Sequence, residues 1–176
     1  WVNEMQVLNS AAMAGTESVR VRLFNTYGPG EHYSPYRSVV CLFCYRALHD
    51  IPYTVYLGHR RTSTYVSDAA ATLARIAARF RPGEVYNIGG NDYHDVRTVS
   101  DLILRRLGKS DAGLVTYVDA EPFTTRDKLV ECSKAVRELD HRSTVDLAEG
   151  IARTLEWMKQ TYRPGAVEPA AACAPV

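Results

Sequence analysis
The sequence lacks any apolar run approaching the roughly twenty residues that cross a bilayer, and its opening Trp1-Val-Asn-Glu4 has no basic leader segment. It therefore reads as a cytoplasmic chain with no membrane partner. It also lacks a charge excess: 21 Lys and Arg against 20 Asp and Glu leave a formal net charge of +1, which removes the basic surplus expected of a nucleic-acid binder. Cysteine is scarce, with four residues (Cys41, Cys44, Cys132, Cys173) too scattered for a disulfide scaffold, which fits a reducing compartment. Several signatures are missing as well. No G-x-G-x-x-G follows a strand, there is no Tyr-x-x-x-Lys, and a P-loop, a serine-hydrolase elbow and a paired-carboxylate motif are absent. Taken alone, the residues offer binding groups without a complete catalytic set.

What is present is the make-up of a globular chain: 176 residues, 46% hydrophobic and 23% charged, enough for one domain or part of a larger one. Its central stretch runs from Ser18 to Gly30. Val19, Val21 and Leu23 alternate with Arg20 and Arg22 as in a strand, and Gly28-Pro29-Gly30 cannot continue one. Ligands of open α/β sheets bind beyond the carboxyl ends of strands, which makes Leu23, Phe24 and Asn25 the first candidates. Asn25 has two readings: a ligand-binding amide, or an Asx-type turn that holds the loop.

The rest of the chain alternates helix and strand. Residues 1–14 place Trp1, Met5, Leu8 and Ala12 on one helical stripe, and the absence of a cap before Trp1 suggests a cut inside an element. A loop over 31–36 leads to a helix over 37–50 with Val40, Phe43, Cys44 and Ala47 inward. A strand over 53–57 is followed by a basic turn, Gly58-His-Arg-Arg61, and Ser67-Asp68 is expected to cap an Ala-rich helix ending at Phe80. Further elements are a strand over 84–88, a helix over 98–107 stopped by Gly108, a strand over 114–118, and helices over 133–139 and 147–162. The Pro- and Ala-rich tail over 163–176 is expected to be disordered.

Cys41-Leu-Phe-Cys44 has the spacer of a zinc or redox pair, but no second pair accompanies it, and an apolar helix favours simple packing. The five histidines stand singly, without metal-ligand spacing. Arg37, Arg61 and Arg126 lie at loops or element starts among Tyr and Thr, where a guanidinium can grip a phosphate through two parallel hydrogen bonds or simply face solvent.

Five landmarks in order carry a resemblance: Arg22-Leu-Phe-Asn-Thr-Tyr-Gly-Pro29, Arg61 followed by Tyr65-Val-Ser-Asp68, Tyr86-Asn-Ile-Gly-Gly90, Ser133-Lys-Ala135, and Glu149-Gly150 with Trp157. Over residues 1–162 the chain resembles the extended short-chain dehydrogenase/reductases, the NAD-dependent epimerase/dehydratase family that acts on nucleotide sugars. The resemblance implies an α/β fold: the C-terminal part of a Rossmann-type enzyme with its smaller sugar-nucleotide-binding lobe. It implies that Leu23 and Phe24 lie against a nicotinamide and that Asn25 bonds a diphosphate or sugar. Arg37, Ser38 and Val39 would line the nucleotide pocket, Thr54 and Tyr56 would sit beside the base, and Arg61 and Arg126 would bind phosphate or ribose. The implied cofactor is NAD, with NADP as the alternative, the implied partner is a UDP- or dTDP-sugar, and the implied assembly is a homodimer.

The implied reaction oxidises a sugar transiently to a keto sugar, followed by epimerisation, dehydration or decarboxylation. The Tyr-x-x-x-Lys pair and the Gly-rich cofactor loop would then precede Trp1. One departure stands out: many members carry Gly-Asp-Gly and three further residues between the positions of Tyr56 and Arg61, where this chain has the shorter Leu57-Gly-His-Arg60. The alternatives are a non-catalytic sugar-nucleotide-binding fragment or truncated relic, and a reductase of small ketones on the same fold.

Overall fold
A computed structural model of the chain describes residues 1–119 and 123–162. The expected tail over 163–176 lies outside the described residues. The elements follow in the order α1 (Val2–Ala14), β1 (Arg20–Leu23), β2 (Thr26–Tyr27), α2 (Val39–Leu48), β3 (Tyr53–Tyr56), β4 (Arg60–Thr62), β5 (Thr64–Tyr65), α3 (Val66–Ala78), β6 (Val85–Ile88), β7 (Tyr93–Asp95), α4 (Val96–Leu107), β8 (Val115–Val118), β9 (Asp127–Lys128), α5 (Ser133–Leu139) and α6 (Leu147–Thr161). This is an α/β fold built on parallel pairs: β1 with β6, β2 with β5, and β3 with β8. A three-stranded sheet is mixed, with β4 antiparallel to β7 and parallel to β9.

The main core lies between α2, α4, α6 and β3, where Phe43, Val55, Val99, Ile103, Ile151, Leu155 and Met158 are buried. Burial follows the sequence pattern: Tyr53 and Val55 point into the core while Thr54 and Tyr56 alternate outward. Cys41 and Cys44 pack in this core as free thiols. Burial pushes the Cys41 thiol up to about 12, and the thiol meets the Glu31 carbonyl at 3.3 Å. Helix α4 ends where expected, on Gly108 in the left-handed region (φ 65°).

Two expectations change, and the structure adds two further features. Ser67 does not cap α3: the helix already begins at Val66, its N-cap Tyr65 makes no side-chain cap bond, and Ser67 sits in the first turn. Asp68 is buried and instead accepts from the Thr144 N–H and hydroxyl at 2.8 and 2.7 Å, tying α3 to the segment before α6. The basic turn over 58–61 is only half a turn, since Arg60 and Arg61 enter β4, where two neighbouring strands satisfy their backbone. The apolar stripe of α1 is not inward, because none of its residues is buried. Finally, β2, β7 and β9, two or three residues each, are too short to show a period in sequence.

Candidate functional site: a cationic pocket between two sheets
Chain segments far apart in sequence meet around a pocket of about 510 Å³. The loop after β1 contributes Asn25, the entrance of α2 contributes Arg37, Ser38 and Val39, and β3 contributes Thr54 and Tyr56. The segment through β4 adds His59, Arg61 and Ser63, and the β9 region adds Thr124 and Lys128. Val40, Leu42, Phe43 and Val96 make an apolar wall.

Asn25 stands at φ 44°, a left-handed conformation that Asn tolerates better than most side chains. Its Nδ2 donates to the Thr62 carbonyl at 2.7 Å, and its own carbonyl accepts from the Thr64 N–H at 3.1 Å. With the Thr64 hydroxyl donating to the Phe24 carbonyl at 2.8 Å, these bonds strap the end of β1 to β4 and β5. Asn25 thus holds two strand ends together while it lies on the pocket wall.

Arg61 is held rigidly. Its Nη1 donates to the carbonyls of Arg60 and Arg126 at 2.9 and 2.7 Å, and its Nη2 lies 3.3 Å from Nδ1 of His59. Acceptors on one side fix the plane of the fork in advance, so little rotamer freedom is left for a ligand to remove. Arg37 is steered by its Nε, which donates to the His32 carbonyl at 3.1 Å. The Ser38 hydroxyl is committed to protein: it donates to Glu31 Oε2 at 2.7 Å and accepts from the Cys41 N–H at 3.2 Å as the cap of α2. Ser38 therefore shapes the pocket by fixing the helix entrance.

Of the residues singled out in the sequence, Asn25, Arg37, Ser38, Val39, Thr54, Tyr56 and Arg61 share this pocket. Arg126, Leu23 and Phe24 do not line it. Arg126 takes part through its carbonyl, which orients Arg61 and also accepts from the Arg60 N–H at 2.7 Å. Leu23 ends β1 and is 49% exposed, and Phe24 follows it directly. Lys128, Thr124, His59 and Ser63 escaped the sequence reading. Lys128 reaches the wall because β9 pairs with β4, placing it opposite Arg61. A two-residue strand leaves no pattern by which to find it.

The wall is electrostatically one-sided. Arg37, Arg61 and Lys128 bring three positive charges, and no carboxylate is found among the described residues that line the pocket. Low-dielectric walls focus such a field on an anion. Among the described residues no group of His, Cys, Asp and Glu could hold a metal ion, and no helix is long and apolar enough to cross a membrane.

Residues 2–89 match the NAD dependent epimerase/dehydratase family. The chain is 33% identical over 163 residues to dTDP-glucose 4,6-dehydratase of Streptomyces antibioticus, a match that covers 89% of this chain and 48% of that one. Among solved structures it is similar to UDP-glucose 4-epimerase of Thermotoga maritima with UDP-glucose (TM-score 0.77, 25% identity, 90% of this chain and 51% of that one). It is also similar to the Thermus thermophilus UDP-glucose 4-epimerase in complex with NAD (TM-score 0.75, 26% identity, 93% and 52%). The chain spans about half the length of the curated relatives it matches. Half of the sequence fits the family pattern and the parallel-paired fold agrees with it; the chain belongs to the NAD-dependent epimerase/dehydratase family.

Proposed function
We propose that this chain forms the substrate-binding part of an enzyme that modifies a nucleotide-diphosphate sugar with NAD. The observation that carries this reading is the pocket itself: three cations and no described carboxylate, beside an apolar wall from α2 and α4. Arg37, Arg61 and Lys128 suit a diphosphate, while Thr54, Tyr56 and the wall of Phe43 and Val96 suit a flat base with polar edges. Preorganised guanidinium groups act here by positioning, holding the diphosphate so that the sugar lies toward the end of β1. The similarity to a dTDP-glucose dehydratase and to an epimerase solved with UDP-glucose supports the ligand class.

The residues at the end of β1 fit one part of NAD. Leu23, half exposed beside Phe24, offers an apolar edge for a flat ring, whereas no Gly-rich phosphate loop occurs in the chain. When bound, NAD supplies a hydride acceptor. The tyrosine and lysine that move the sugar hydroxyl proton are assigned, in this reading, to polypeptide preceding Trp1, and residues 1–162 to the end of the Rossmann sheet with the substrate lobe.

Calorimetric titration of the complete natural polypeptide with UDP and dTDP tests the proposal. Charge-assisted hydrogen bonds contribute about 1.5–3 kcal/mol, so Arg61→Ala is expected to weaken the preferred nucleotide by roughly tenfold or more. Unchanged affinity would remove Arg61 from the site. Wild-type protein that binds neither nucleotide would end the reading altogether.

A further inference from the structure
Ser63, at the pocket wall between β4 and β5, is paired with a histidine that the proposed reaction does not use. Its Oγ lies 3.2 Å from Nε2 of His94, a residue only 9% exposed, while Nδ1 of the same ring lies 3.1 Å from the Asp92 carbonyl. The pair is built into the fold. Antiparallel pairing sets His94 opposite Arg61, and the backbone around Ser63 is pressed against Gly90, where a Cβ would collide with the Ser63 carbonyl.

Hydrogen-bond chemistry orients the protons. A backbone carbonyl can only accept, so Nδ1 must carry the hydrogen. Burial lowers the His94 pKa, which keeps the ring neutral and leaves Nε2 as an acceptor. The Ser63 hydroxyl therefore spends its only hydrogen on His94, and its oxygen has lone pairs alone to offer the pocket. Such an oxygen repels a phosphate oxygen and accepts from a donor.

Resting on the reading of the pocket as a nucleotide-sugar site, we infer that Ser63, held by His94 as its positioning residue, is an acceptor-only contact for a ligand hydroxyl. It would distinguish the hydroxyl-bearing part of the ligand from the diphosphate that Arg37, Arg61 and Lys128 attract. The hydroxyl can belong to the ribose or to the sugar, and binding measurements separate the two.

The test uses the complete natural polypeptide with inorganic pyrophosphate, UDP, dTDP and their glucose conjugates. Ser63→Ala is expected to leave pyrophosphate affinity unchanged and to weaken the preferred nucleotide sugar by roughly three- to tenfold, with Ser63→Thr restoring it. A loss already seen with the nucleoside diphosphate assigns the ribose, and a loss confined to the glucose conjugate assigns the sugar. Equal weakening toward pyrophosphate, or no weakening toward any ligand, overturns the inference. Imidazole nitrogen NMR provides an independent check, in which a proton on Nε2 of His94 in place of Nδ1 also overturns it. Wild-type protein that binds none of these ligands instead refutes the parent reading of the pocket, and the ligand named here falls with it, while the NMR spectrum still decides the geometry of the pair.

Discussion
The lobe around α2, α4 and α6 and the region around α1, β1 and β6 are made from similar side chains and treat them differently. In the lobe, Ile103, Ile151, Leu155 and Met158 are at most 1% exposed. In the second region, the separate buried cluster among the described residues holds Tyr86, Ala135 and Leu139, and Leu23, Met5 and Val7 remain open to solvent. Helix α1 is joined to β1 by an ion pair, with Arg22 donating to both Glu4 oxygens at 2.6 and 2.8 Å, a contact that also lowers the Glu4 pKa. Exposed pairs of this kind add little stability. Apolar content therefore decides nothing by itself; what counts is whether a second layer of structure lies over it. The pocket stands on the well-packed side, with α2, α4 and β3 behind its wall, and among the described residues that line it Asn25 belongs to the open side.

The largest test of this contrast is truncation in the lobe. Leu155→Ala should destabilise the protein by about 2–5 kcal/mol, the range for a buried leucine that leaves a cavity, read from the urea midpoint at constant slope. A loss below about 1 kcal/mol would show that the lobe is not the stabilising core. A second, smaller effect comes from pH. Burial is the leading cause that lowers the pKa of both His49 and His94, one at the end of α2 and the other in β7. The unfolded chain therefore takes up protons first as pH drops below about 6.5, and stability should fall between pH 7.5 and 5.5. His94→Gln should flatten part of that slope in parallel urea titrations. A stability that rises toward pH 5.5 would contradict the assignment. The smallest effect is expected at the open edge: Leu23→Ser should stay within about 0.5 kcal/mol of wild type, since its side chain is already half in water. A cost as large as that of Leu155→Ala would mean that the two regions are not different.

Much of the architecture could be read from local pattern because its cause is local. The two-residue alternation of Tyr53 to Tyr56, the apolar stripe of Val99 and Ile103, and the left-handed stop at Gly108 each depend on neighbours within one or two turns. The arginines and Asn25 could be nominated from the chemistry of their side chains and their places near strand ends. Long-range pairing was needed for the rest. Only β4 against β7 and β9 gathers Arg61, His94 and Lys128, residues separated by more than thirty positions along the chain. The same pairing brings the Arg126 carbonyl to the Arg61 guanidinium, a backbone contact that side-chain chemistry does not announce. Sequence thus determined which groups could bind an anion and which faces were apolar. Tertiary structure decided which of those groups meet and which apolar faces are covered, because hydrogen-bond partners and packing layers come from distant segments whose spacing the chain does not encode locally.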